Sequence, residues 1–131
     1  MKKVILDTSV IIDHVRGKDK TLIKLLQLQQ EKKVEILVPV LVIFEFYSGL
    51  SLKNKEIFNK TEELFSRFKI VELSPEVAKL AAEINRKKKL YKKIGAVDIL
   101  IAAMAKYYSA TLATKNTKDF QLIPGLKYLK G

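Results

Sequence analysis

Most acidic residues in this chain stand among lysines, as ordinary solvated charge does, but three do not. Asp7 closes the apolar run Val4-Ile5-Leu6, Glu45 is the only charge between Pro39 and Tyr47, and Asp98 is the only charge between Gly95 and Ala105. Holding an ionised carboxylate in apolar surroundings is costly unless a base, several hydrogen-bond donors or a metal ion compensates it. No Lys or Arg lies close enough in sequence to serve all three. An all-oxygen donor set points to Mg²⁺ or Mn²⁺, because Zn²⁺ normally takes His or Cys and the chain has one His and no Cys. The chemistry such a set suits is hydrolysis of a phosphodiester by water activated at the ion. Taken singly, two of the acids have simpler readings, Asp7 as a helix cap and Asp98 as an acid at a helix N-terminus. Glu45, inside a helix, has no capping role to play.

The elements that must position these acids follow from the apolar periodicity. Lys2 to Leu6 is expected as a strand ending in Asp7-Thr8-Ser9, residues suited to cap a short helix, Val10 to Arg16, that stops near Gly17. Leu22, Ile23, Leu25 and Leu26 mark a helix over Thr21 to Lys33. Val34 to Val38 reads as a second strand, and Pro39 opens a helix from Val40 to Tyr47 that ends near Gly49. Residues 54–68 form an amphipathic helix with Ile57, Phe58, Leu64, Phe65 and Phe68 inward. A strand over Ile70 to Leu73 leads to Ser74-Pro75-Glu76, a Ser N-cap with Pro at the first helical position. A helix from Val97 to Tyr108, a strand from Thr111 to Thr114, a loop and a last strand near Leu126 to Leu129 complete the chain. Alternating strands and helices predict an α/β sandwich around a central, mostly parallel sheet flanked by helices. Right-handed crossovers then bring the C-terminal ends of the strands to one edge, where Asp7, Glu45 and Asp98 meet.

The bulk properties are compatible with that chemistry. At 131 residues the chain is expected to be a single domain, 1–131, with 48% hydrophobic residues spread evenly and no internal repeat or linker. The absence of cysteine excludes disulfides and thiolate metal sites. The apolar stretch before Asp7 is too short for a signal-peptide core and no apolar run reaches membrane-spanning length, so a cytoplasmic protein without membrane association is the expectation. A formal net charge of +11 favours a polyanionic partner. All basic residues but Arg16, Arg67 and Arg86 are lysines, which suit phosphate contact better than base reading.

Four motifs in order resemble those of PIN domains, in particular the VapC-type toxins. Val4 to Asp13 is similar to the family's opening motif, and Phe44 to Leu50, with Glu45 followed by Gly49, to its second. Ile94 to Ala105, around Asp98, resembles the third, and Leu112 to Phe120 followed by Ile123 to Leu126 the fourth. The resemblance implies a PIN-like three-layer sandwich and an Mg²⁺- or Mn²⁺-dependent endoribonuclease whose metal ligands are Asp7, Glu45 and Asp98. It implies that the Thr8 and Thr114 hydroxyls support the cluster and that the fourth ligand position falls to Asp119 or Asn116. It further implies a cognate antitoxin protein as partner and a homodimer.

The densest basic run, Arg86-Lys87-Lys88-Lys89 with Tyr91, Lys92 and Lys93, lies just ahead of Asp98 and is assigned to RNA binding, phosphates on the lysines and a base on Tyr91. Its simpler reading is a solvated helix end. The single histidine, His14, reads as a surface or packing residue, and Tyr107-Tyr108 as core or dimer contacts. An inhibitor is expected to place an Arg or Lys in the acid cluster, with Leu22, Leu25, Leu26, Phe58 and Phe65 offering a groove beside it. Rival readings are a phosphatase or receiver-like domain, disfavoured because Thr8 and Ser9 stand where a second acid is needed, a housekeeping RNA-processing nuclease, and a catalytically silent binding module.

Overall fold

The computed structural model describes residues 1–49 and 54–130; Leu50, the last residue of the second motif, and the side chain of Tyr91 lie outside the described set. Five strands, β1 (Lys2–Leu6), β2 (Val34–Pro39), β3 (Lys69–Val71), β4 (Thr111–Thr114) and β5 (Tyr128–Lys130), form one sheet in the order β3-β2-β1-β4-β5. Every described pairing is parallel, so the expected mixture of directions narrows to one. Parallel strands buried on both faces need continuous apolar runs, and Val4-Ile5-Leu6 and Ile36-Leu37-Val38 supply them at 2% exposure or less.

The connections are α1 (Thr8–Val15) and α2 (Thr21–Gln30), α3 (Val40–Gly49) and α4 (Lys55–Phe65), α5 (Pro75–Lys88) and α6 (Ala96–Tyr107), and the single-turn α7 (Thr117–Phe120). α1 packs against α2, α3 and α4, whereas α5 and α6 pack on each other and are joined through a 3₁₀ turn at Leu90–Lys92. From β1 the chain steps outward to β2 and β3; it then crosses back to β4 and continues to β5 on the other side. The direction of winding therefore reverses between β1 and β4, which opens a crevice at their C-terminal ends.

Several boundaries differ from the sequence expectation for identifiable reasons. α1 begins at Thr8 rather than Val10, because Asp7 itself is the N-cap and its side chain accepts from the Thr8 amide. α2 stops at Gln30, short of Lys33, where Lys32 turns into the left-handed region at φ 61°. α4 begins after Asn54, which caps it through the Ile57 amide, and gives way at Ser66, so Phe68 is buried from the turn that follows. β3 and β5 are each displaced by one or two residues from their expected spans, and α7 occupies a stretch expected as loop. Of the two adjacent tyrosines, Tyr108 is half-buried, while Tyr107 is 48% exposed and packs edge-on against it.

Candidate metal centre

Asp7 leaves the top of β1 at the crevice, and its amide donates to the Ala113 carbonyl (3.0 Å), extending the β1–β4 ladder one step further. Its carboxylate is 5% exposed and carries three donors. Oδ1 accepts from the Thr8 amide (2.8 Å), and Oδ2 accepts from both the Ser9 and the Thr114 hydroxyls (2.8 Å each). These bonds offset burial and fix the carboxylate's direction. The two hydroxyls are held in turn, since Ser9 Oγ accepts from the Lys115 amide (3.0 Å) and Thr114 Oγ1 from the Asn116 amide (2.9 Å).

Glu45 comes from the second turn of α3, and its Oε1 accepts the Thr8 hydroxyl at 2.7 Å. Asp98 lies in the first turn of α6 behind Gly95, which caps that helix without a side chain. One carboxylate oxygen from each of Asp7, Glu45 and Asp98 lies within 4.8 Å of the others. Burial first, then the negative charges of Asp7, Glu45 and Asp119, push the Asp98 carboxyl up to about 6. Converging carboxylates, with Asp98 held back from ionising by burial and by its acidic neighbours, fit a hard divalent cation, which would relieve both the repulsion and the burial.

The remaining sequence-assigned residues divide by position. Asp119, on α7, is outside the trio whose oxygens meet, although its charge is felt at Asp98; its Oδ2 accepts from Asn116 Nδ2 at 2.9 Å. The two rivals for the fourth position are thus bonded to each other. Arg86, Lys87 and Lys88 form the last turn of α5, Lys89 turns the chain at φ 51°, and all four are exposed, as are Lys92 and Lys93. Buried Leu90 and Ile94 pin this turn just ahead of α6. His14 is half-buried, and burial lowers its basicity. Of the five residues expected to line a groove, Leu22, Leu25 and Phe65 are core residues at 1%, 6% and 7% exposure, and Leu26 and Phe58 are half-buried. A groove of about 420 Å³ lies instead against Glu45, between α1, α3 and the start of α4, with Ile12, Val15, Phe46 and Ile57 on its walls. Ser9 was expected only as a capping residue; its bonds to Asp7 and Lys115 make it a bridge between the first and fourth motifs.

Fold and site together define an α/β domain built to converge carboxylates at a sheet switch point. The PIN domain family matches residues 4–126, and the chain belongs to that family. Among relatives, it is 34% identical to Ribonuclease VapC1 of Rickettsia felis, over 96% of this chain and 94% of that protein. It is 29% identical to Ribonuclease VapC19 of Mycobacterium tuberculosis, over 94% and 96%. Among solved structures, VapBC2 from Rickettsia felis bound to a DNA fragment from its promoter superposes with a TM-score of 0.83 at 27% identity, covering 97% of each chain. DNA-bound VapBC from Salmonella typhimurium shares the fold, with a TM-score of 0.80 at 21% identity over 98% of each chain.

Two outcomes are expected from this geometry. The Asp98 carboxyl lies above its unfolded value of 3.8, so the folded state binds the extra proton between about 4 and about 6. In EDTA, stability from this group should fall as pH rises through that window and stay low above it. Asp98→Asn should remove this dependence and raise Tm at pH 7.5 by about 2–4 °C; a lower Tm would mark the carboxylate as a structural helix acid. For the linked pair, calorimetric Mn²⁺ titration should show Asp119→Ala weakening binding more than Asn116→Ala, since only the former removes charge. The reverse order would assign the fourth position to Asn116.

Proposed function

We propose that this protein is an Mg²⁺- or Mn²⁺-dependent endoribonuclease acting as the toxin of a toxin–antitoxin pair in the cytoplasm. The observation that carries the proposal is the convergence of Asp7, Glu45 and Asp98 within 4.8 Å at the switch point of a PIN sheet. It is supported by relatives named as VapC ribonucleases and by the likeness to VapBC2 from Rickettsia felis. Among the described residues no helix is long and apolar enough to cross a membrane.

Asp7, Glu45 and Asp98 would hold the cation, with Asp119 adding negative charge at the rim. A divalent cation there supplies a polarised water and neutralises charge on the phosphate being attacked. The protein's own contribution is orientation. Thr114 and Ser9 aim the Asp7 carboxylate and Thr8 aims that of Glu45, so the oxygens face one point before a cation arrives. Arg86, Lys87, Lys88, Lys89, Lys92 and Lys93 form an exposed basic turn just ahead of α6, suited to the phosphates flanking a cut site. RNA rather than DNA follows from the relatives' names, because nothing in this chemistry requires a 2′-hydroxyl. The groove beside Glu45 suits a helix of the antitoxin, laid with its apolar face on Ile12 and Ile57.

Cleavage of a mixed RNA pool should require added Mg²⁺ or Mn²⁺, stop with EDTA, and be abolished by Asp98→Asn; near wild-type cutting by that variant refutes the carboxylate site. Lys87, Lys88 and Lys89 replaced together by Ser should make the slope of log affinity against log salt shallower by about 2, with metal affinity unchanged. An unchanged slope would reduce the run to a solvated helix end. Expression of the wild-type chain alone should arrest growth, whereas Asp7→Asn should not. A harmless wild-type protein that still cuts RNA in vitro would make it a housekeeping processing enzyme.

A further inference from the structure

The strands of the parallel sheet begin at the end opposite the acid cluster, and there Lys2, Lys3, Ser109, Thr111 and Lys127 line an open hollow of about 370 Å³. The three lysines are exposed, and no carboxylate is among the described residues that line the hollow. The sheet fixes their backbones. Lys3 precedes Val4, which pairs with Thr111, and the Lys127 carbonyl accepts the Leu112 amide at 2.9 Å. β1 and β5 flank β4, so Lys3 and Lys127 stand two strand spacings apart, about 10 Å. Lysines elsewhere are engaged by glutamates, Lys33 by Glu31, Lys60 by Glu56 and Lys87 by Glu83. Among the described residues Lys2, Lys3 and Lys127 form no ion pair, and Glu35, level with Lys3 on β2, forms none either. α6 joins this end of the molecule to the other. It starts just beyond the basic α5–α6 turn, carries Asp98 in its first turn, and ends at Tyr107, two residues before Ser109. Its 12 residues make it about 18 Å long. Two exposed basic surfaces therefore stand at opposite ends of one helix, and the acid cluster lies at only one of them.

We propose that the hollow at the start of β1, β4 and β5 is a second anchoring surface for the RNA backbone, which holds substrate remote from the cut and so favours long RNA. The proposal rests on the reading of this protein as an endoribonuclease. Ammonium groups set across three strands suit successive phosphates of an extended chain better than one compact anion. Lysines contact phosphate as point charges, so the anchor selects for length and not for sequence. Once one part of an RNA is held at the α5–α6 turn, its contact with the hollow becomes intramolecular, and affinity rises without any base contact. An RNA too short to reach both ends of α6 gains nothing.

The test measures binding of fluorescently labelled oligouridylates of about 6 and about 30 nucleotides in EDTA, over a series of salt concentrations. One variant carries Lys2→Gln, Lys3→Gln and Lys127→Gln. A charge-matched control carries Lys24→Gln, Lys60→Gln and Lys79→Gln, exposed positions on α2, α4 and α5. The hollow variant should bind the long RNA about tenfold more weakly than wild type, and the short RNA within about twofold. Its slope of log affinity against log salt for the long RNA should be shallower by about 2, as expected for three lysine–phosphate contacts on a single strand. The control should bind both RNAs within about twofold of wild type. Equal losses in the two variants would reduce the effect to net charge, and equal losses for the two lengths would deny a remote anchor; either result overturns the proposal, as does unchanged binding of the long RNA. Wild-type protein that binds long RNA in this way but cuts none when Mn²⁺ is added would sink the nuclease reading and leave the anchor standing. Wild-type protein that binds neither RNA would overturn both.

Discussion

The structure depends on one buried carboxylate. Asp7 sits at 5% exposure where β1 and β4 diverge, and it is tolerated there because three donors converge on it. Two of those donors come from its own helix start and the third from Thr114, at the end of the neighbouring parallel strand. The register that pairs Leu6 with Ala113 places Thr114 at the level of Asp7. A shift of one residue would turn the threonine to the opposite face of the sheet and leave a carboxylate oxygen short of a partner. The β1–β4 register and the orientation of Asp7 are therefore a single constraint seen from two sides.

From that point the site is assembled by hydroxyls. Thr8, the first helical residue after Asp7, offers its amide to Asp7 and its hydroxyl to Glu45, so one residue orients two acids from different elements. Ser9 and Thr114 each give a proton to Asp7 and receive one from the backbone of the fourth motif. Hydroxyls suit this task because each can donate and accept at once. Asp98 has a different setting: it stands at a helix N-terminus that favours negative charge, yet burial and its acidic neighbours outweigh that help and push it up to about 6.

What the sequence made legible follows from this division. Asp7, Glu45 and Asp98 stood out because each is a lone charge in an apolar run, and such a context survives any error in element boundaries. The strand–helix alternation came through for the same reason, as strands buried on both faces carry uninterrupted apolar residues. Ser9's part was hidden, since its decisive contact is with the amide of Lys115, 106 residues away, and nothing local distinguishes a bridging serine from a capping one. The groove was misassigned because an apolar helical stripe looks the same whether it faces the core or a cleft. Leu22 and Leu25 turned out to face the core, and the cleft beside Glu45 is lined by residues from three separate helices. The short α7 was missed because four residues are too few for periodicity to register.

A chain of net charge +11 that gathers acids at one point faces an internal conflict. The charge that draws a polyanion also supplies many ammonium groups that would neutralise the acids if they reached them. The structure answers with packing and with pairing. The exposed lysines of the α5–α6 turn belong to a segment anchored by buried Leu90 and Ile94, so its path is set by packing rather than by attraction to the cluster. Lys87 is further engaged by Glu83 one turn back. Lys115, which follows directly on Thr114, is engaged by a carboxylate fixed at the start of α2. Electrostatic order here comes from how individual acids are placed: some pair with lysines on the helices and loops, while Asp7, Glu45 and Asp98 turn their oxygens toward one another.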